Sequence, residues 1–236
     1  MLSPADQKKY IKQIMLQEIG MKGQEKIRQA KVAIVGCGGL GCPTLLYLAS
    51  AGVGNIGIID FDEVSISNLP RQILFGHNDV GKKKVEVAEN KIGALHPEVN
   101  IIKHDTMLDE SNAEEILKQY DFVIDGCDNF MTRYIVNDVC VKLGKALVYG
   151  SILGFEGQLA TFNHSGSKNL RDLFPEPPNP DEVPDCSENG VLATVTGIMG
   201  TMMANECVKV ILGKNVSANK LTLINCLDLQ MKTLSY

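Results

Sequence analysis

The hexapeptide Gly36-Cys37-Gly38-Gly39-Leu40-Gly41 constrains this chain more than any other segment. It follows KVAIVG (31–36), a β-branched run read as a strand buried on both faces. It opens Leu40 to Ala51, read as a helix with Pro43 in its first turn, where a missing N–H does no harm. A Gly-x-Gly-x-x-Gly loop between strand and helix lets backbone approach a phosphate where a Cβ would clash. The helix N-terminus adds unpaired N–H groups and partial positive charge. Asp60 ends a second strand, GNIGIID (54–60), 19 residues after Gly41, where a carboxylate can accept from ribose hydroxyls. Nucleotide binding is therefore expected, but the loop alone does not say which nucleotide.

The rest of the chain repeats the pattern. Val85, Ala88, Ile92 and Leu95 form a helical stripe that stops at His96-Pro97. VNIIKH (99–104) reads as a strand, Ser111 to Gln119 as a helix and DFVIDG (121–126) as a strand. Asn129 to Leu143 is a helix closed by Gly144, and ALVYGS (146–151) a strand. The expected fold is α/β: a Rossmann-like, doubly wound, mainly parallel sheet with helices on both faces. GQLATFN (157–163) alternates like an antiparallel strand, and KLTLIN (220–225) can pair with LQMKTL (229–234) as a hairpin, giving a C-terminal antiparallel extension. Between them lies an aperiodic, proline-rich stretch, 164–190, expected to be mobile, then a helix from Val191 to Leu212 whose Gly197 and Gly200 allow close packing. One domain over 1–236 is expected: a helical arm (about 1–30), a nucleotide-binding core (about 31–151) and a partner-binding part (about 152–236).

Charge and cysteine usage narrow the context. With 23 basic and 28 acidic residues the net charge is −5, which weighs against nucleic acid and anionic membrane. The 28 residues from Val32 to Ile59 carry no charge, yet seven glycines and Pro43 divide them into strand and helix lengths, so they read as buried core and not as a membrane span. Seven cysteines without a C-x-x-C pair point to reduced thiols and a cytoplasmic setting. Cys37 and Cys42, in the glycine loop, read as packing residues.

The segment after Asp60 separates ATP from a dinucleotide. It runs Asp60-Phe61-Asp62-Glu63-Val64-Ser65-Ile66-Ser67-Asn68-Leu69-Pro70-Arg71-Gln72, and GKKK (81–84) starts the next helix. Bound ATP brings roughly four negative charges into a site of reduced dielectric. Arg71 can fork onto phosphate oxygens, and Lys84 can act as a point charge. Opposite them, the strand ending Asp125-Gly126 delivers Asp128-Asn129, where a Mg²⁺ bridging phosphates would be held.

GCGGLGC, DFDEVSISNLPRQ, the GKKK lysine, DGCDN and NGVLATVTGIMGTMMANECVKVILG together closely resemble the bacterial ThiF/MoeB/HesA group, relatives of the ubiquitin-activating enzymes. The resemblance runs from about Asp6 to the C-terminus, and the N-x-x-R-Q block behind D-x-D is foreign to dehydrogenases. It implies ATP·Mg²⁺-dependent adenylation of the C-terminal glycine of a small ubiquitin-fold sulfur carrier ending in Gly-Gly. Pyrophosphate is released, and the carrier is then thiolated by a sulfur donor such as a cysteine desulfurase, for thiamine or molybdopterin synthesis. It further implies a homodimer with carriers docked on both subunits. By the same resemblance, Gly36, Gly38, Gly39 and Gly41 form the nucleotide loop, Gly39 and Gly41 lying against the nucleotide. Asp60 holds the ribose, with Asp62 beside it; Asn68, Arg71 and Gln72 contact phosphates; Lys84 faces the α-phosphate; Asp128 positions Mg²⁺ beside Asn129. The carboxylate nucleophile is already ionised at neutral pH, so placement and positive charge matter more than a general base.

Three departures from the group stand out. Its R-Y-x-R-Q arm is Lys9-Tyr10-Ile11-Lys12-Gln13 here, so a Lys12 reaching the partner subunit's phosphates would keep the charge and lose the fork. Its zinc-binding C-x-x-C pairs are missing: the first aligns with Asn169-Leu170-Arg171-Asp172, and Cys226 has no partner for the second, so zinc is not expected. Cys186, which in ThiF-like members can bond to the carrier, is kept, but Asp181, Glu182, Asp185 and Glu188 would raise its thiol pKa. Other readings stay open: adenylation of a tRNA base or a small molecule, an NAD-dependent dehydrogenase, and a non-catalytic scaffold for a ubiquitin-fold partner.

Overall fold

A computed structural model describes residues 2–178 and 190–236. The chain begins with three helices, α1 (Pro4–Lys9), α2 (Ile11–Ile14) and α3 (Gly20–Gln29). The order then alternates: β1 (Lys31–Val35), α4 (Gly41–Ala51), β2 (Asn55–Ile59), α5 (Lys84–Leu95), β3 (Asn100–His104), α6 (Ala113–Leu117), β4 (Phe122–Asp125), α7 (Phe130–Leu143) and β5 (Ala146–Leu153). It ends with β6 (Glu156–Phe162), α8 (Leu170–Leu173), α9 (Ala193–Leu212), β7 (Lys220–Asn225) and β8 (Gln230–Ser235).

All eight strands join one sheet in the order β3-β2-β1-β4-β5-β6-β7-β8. The first five are parallel, with Val32 opposite Ile56 on one side and Phe122 on the other. The last three are antiparallel, β5 turning into β6 through Gly154-Phe155 with Leu153 opposite Glu156. Strand period two puts alternate residues on opposite faces. Val32, Ile34, Ile56, Ile58 and Val148 pack with α4, α5 and α9. Ala33, Val35, Val123, Leu147 and Tyr149 pack with α6 and α7. A strand buried on both faces has no polar side to spare, which explains the uncharged run from Val32 to Ile59.

Helix α9 is long and apolar enough by length and composition to cross a membrane, yet it packs on β5, β6 and α4 with Val195, Met199, Met203 and Cys207 buried. Gly200 is the close-packing position: a Cβ there would lie 2.5 Å from Leu40 O at the start of α4. Gly197, expected to act likewise, faces open space.

The stretch expected to be mobile is tied down where it is described. Asn169-Leu170-Arg171-Asp172 forms the capped start of α8, with Asn169 Oδ1 accepting from Arg171 N and Asp172 Oδ2 from Asn169 N, both at 2.8 Å. Arg171 forks onto both oxygens of Asp138 at 2.8 Å. The Tyr134 hydroxyl sits 2.9 Å from Phe174 O and 2.7 Å from Glu176 O. A four-residue helix leaves no period to read in the sequence. Residues 179–189, with Cys186 and its acidic neighbours, lie outside the described residues.

The N-terminal arm is clasped to the body. Buried Tyr10 donates to Glu98 Oε1 at 2.6 Å, Lys9 Nζ lies 2.5 Å from the same oxygen, and Arg28 Nη2 donates to Glu98 O at 2.8 Å. Burial alone would raise the Glu98 pKa, but Lys9 and Tyr10 outweigh it and bring it down from 4.5 to about 2. A depressed folded-state pKa adds stability that is complete above the unfolded value and lost as pH falls through the folded one. Urea unfolding followed between pH 6 and pH 2 should therefore show an acid-dependent loss that Glu98→Gln flattens below pH 4.5.

Candidate nucleotide-binding site

The strand order reverses between β1 and β4, so their carboxyl ends diverge and leave a crevice. A cleft of about 190 Å³ opens there. Its floor is the glycine loop. Gly36 adopts φ +89°, and a Cβ on it would lie 2.8 Å from Gly126 O. A Cβ on Gly41 would lie 2.0 Å from Gly36 O, so α4 can start directly over the end of β1 only because position 41 has no side chain. Gly41 itself is absent from the cleft wall; Gly36, Gly38 and Gly39 line it. The N–H groups of Gly38, Gly39 and Leu40 bond to no described acceptor, which leaves them available to an anion.

Asp60 shapes this loop. Its Oδ2 accepts from Cys37 N at 2.7 Å and its Oδ1 from Asp62 N at 2.9 Å. Burial raises its pKa above the ordinary value, against the opposing pull of Lys84 and the two amides. Lys84, at the start of α5, is buried, and its Nζ lies 2.7 Å from Asp62 Oδ2. Burial disfavours the ammonium, but Asp60 and Asp62 outweigh it and hold the Lys84 pKa above the usual lysine value. The Cys37 thiol is fully buried, and hydrogen bonding with Cys42 together with that burial pushes it well up, so it is no nucleophile.

Arg71 and Gln72 reach the cleft from the loop after β2. Asn68 does not; its Oδ1 accepts from Ser65 N at 3.1 Å and its carbonyl from Gln72 N at 2.9 Å, so it shapes the turn that presents both. Arg71 Nη1 donates to Ser67 O at 2.8 Å, and no described carboxylate pairs with it. Gln72 is 4% exposed and its Oε1 has no partner, a buried polar atom that a bound group with a hydrogen to give would satisfy.

The β4 side supplies Gly126, Cys127, Asp128 and Asn129. Asn129 is the N-cap of α7, its Oδ1 accepting from Thr132 N at 2.8 Å. Asp128 is exposed at the rim and makes no hydrogen bond with a described residue, so its carboxylate is free to meet a cation. Mg²⁺ is usually bound through one or two carboxylates plus substrate phosphates, so one carboxylate beside a phosphate cradle fits it. Lys12 is exposed on α2, away from this cleft. Arg133, which the sequence reading passed over, also lines the cleft and is buried, with Nε 3.0 Å from Asp125 Oδ2. The signal was there: Arg133, Asn137 and Cys140 share the buried stripe of α7, and a charge on such a stripe demands a partner.

Residues 10–236 match the ThiF family. The chain belongs to the ThiF family. A sulfur carrier protein adenylyltransferase of Thermus thermophilus is 46% identical over 87% of the chain and 78% of that relative. The adenylyltransferase and sulfurtransferase MOCS3 of Culex quinquefasciatus is 49% identical over 88% of the chain, which spans only 47% of that longer protein. The probable adenylyltransferase/sulfurtransferase MoeZ of Mycobacterium tuberculosis is 42% identical over 99% of the chain and 61% of its own length. Among solved structures, PaaA superposes with a TM-score of 0.84 over 99% of the chain and 74% of its own, at 24% identity. Escherichia coli MccB with ATP gives 0.79 over 90% and 65%, at 22%. At these identities the structural matches speak to the fold, and the ThiF-family fold is the mixed sheet described above.

The glycines of this ThiF-family loop divide by role. Gly41→Ala drives a Cβ into backbone and should cost about 3 kcal/mol. Gly38→Ala meets only the Gln72 side chain at 3.6 Å and should leave the melting temperature near the parent value. Calorimetric melting of the two variants side by side checks this contrast.

Proposed function

We propose that this protein adenylates the C-terminal glycine carboxylate of a small ubiquitin-fold sulfur carrier at the expense of ATP. The observation that carries the reading is the convergence, in one cleft, of a glycine cradle at a helix N-terminus with Arg71, Lys84 and Asp128. The names of the relatives supply the substrate class. A carrier carboxylate oxygen bonds to the α-phosphorus, the α–β P–O bond breaks, and pyrophosphate leaves with the electron pair.

In this reading the N–H groups of Gly38, Gly39 and Leu40, at the entry to α4, cradle phosphate oxygens. Asp60 retains lone pairs for the ribose while its loop amides fix it in place. Arg71 forks onto the triphosphate, and Gln72 can donate from Nε2 to a phosphate oxygen while its Oε1 takes a ligand hydrogen, such as a ribose hydroxyl. Lys84 leans from Asp62 towards the α-phosphate and remains charged at neutral pH. Mg²⁺, held by Asp128, would neutralise phosphate charge when bound. None of these groups needs to take a proton from the nucleophile, since a C-terminal carboxyl is ionised well below pH 7.

The same reading includes a homodimer, with Lys12 reaching towards the partner subunit's nucleotide, a sulfur donor such as a cysteine desulfurase, a cytoplasmic setting, and a carrier serving thiamine or molybdopterin synthesis. Cys186 enters after adenylation, if the activated carrier passes through a covalent stage. ATP–pyrophosphate exchange with a Gly-Gly-ending carrier tests this directly. Exchange should require the carrier and fall about 100-fold in Asp128→Ala. Cys186→Ala should exchange at the parent rate. Exchange that ignores the carrier, or that survives Asp128→Ala, contradicts the assignment.

A further inference from the structure

We propose that Arg133 is a positioning residue for the adenylation step, setting the Asp128 turn against the β5–β6 strand pair; this rests on the reading above and adds a residue to the same cleft. Arg133 is 5% exposed, and its guanidinium makes three hydrogen bonds beside one ion pair. Nε lies 3.0 Å from Asp125 Oδ2. Nη2 donates to Cys127 O at 2.9 Å and to Gly150 O at 3.1 Å. Nη1 donates to the Tyr149 hydroxyl at 3.2 Å, and the group stacks 4.6 Å from the Tyr149 ring. Tyr149 in turn donates to Gln158 Oε1 on β6 at 3.1 Å.

The point of convergence is Cys127. Asp125 Oδ1 accepts from its N–H at 3.1 Å and from its thiol at 2.8 Å, while Arg133 holds its carbonyl. Asp128 is the next residue, and its own side chain is held by no described residue. Its placement therefore comes through the Cys127 backbone on one side and the Asn129 cap on the other. The second tether, Gly150 O, precedes Ser151 and Ile152, and these two residues line both the nucleotide cleft and a neighbouring hollow over β6, β7 and β8. One planar cation thus spans the metal-side turn and the strand edge that the antiparallel half presents.

A buried ion pair is weak evidence for stability, because apolar side chains of equal volume pack as well. What an arginine supplies beyond a lysine is geometry: five donors in a fixed fork. Arg133→Lys keeps the charge facing Asp125 but cannot reach both carbonyls and the hydroxyl. Its maximal exchange rate should fall at least tenfold while the ATP dissociation constant stays within about threefold, since small misplacement costs rate before binding. Independently of turnover, amide hydrogen exchange at Gly126–Asn129 should quicken about tenfold and that at Gly38–Gly41 should not change. Tyr149→Phe, which removes two hydrogen bonds and keeps the ring, should quicken the same amides to a smaller extent; it decides the matter if Arg133→Lys does not fold. Parent-like rate and parent-like amide exchange in Arg133→Lys would overturn the proposal, as would equal losses of rate and ATP affinity. If the parent protein shows no carrier-dependent exchange, the adenylation reading fails, and the amide arm still decides whether Arg133 orders the turn.

Discussion

The structure depends on a contact that glycine alone permits. Helix α4 begins so close over the end of β1 that a Cβ at position 41 would stand 2.0 Å from Gly36 O. That proximity sets the loop amides of Gly38, Gly39 and Leu40, which bond to no described acceptor, in the wall of the crevice between β1 and β4. It also brings Gly36 within contact of Gly126, so the turns after β1 and β4 are built against each other. Every other group of the cleft is arranged around this junction.

Electrostatics then complete the arrangement. The cleft buries Lys84 beside Asp60 and Asp62, and Arg133 beside Asp125. Leaving either cation without its acid would place an uncompensated charge in a poorly solvated site. The pairs keep fixed charges at fixed places in the free protein, which is what a polyanion-binding site with little reorganisation requires. Arg71 and Asp128 differ: they sit nearer solvent and make no described ion pair, so their charges are uncommitted.

Much of the fold was legible because the chain keeps local and global signals consistent. β-Branched runs marked β1 to β5, and Gly144 marked the end of α7. Alternation in GQLATFN and LQMKTL revealed the antiparallel strands. That Gly36, Gly38, Gly39, Asp60, Arg71, Lys84 and Asp128 meet in one cleft was legible from their places at strand ends and in the following loops. What was not legible came from long-range pairing. Asn68 lies outside the cleft wall with its Oδ1 on Ser65 N, and Gly41, also outside that wall, allows α4 to pack on β1. Arg133 reads like a surface arginine until β5 supplies Tyr149 and Gly150. Helix α8 was hidden because its order comes from Asp138 and Tyr134, residues more than thirty positions earlier.

The account turns on the glycine junction acting as a receptor for a triphosphate. Titrating ATP into the purified protein with magnesium, by isothermal calorimetry, measures that claim without needing a protein substrate. One ATP bound per chain is the predicted result. No detectable heat or binding across a millimolar range would contradict it.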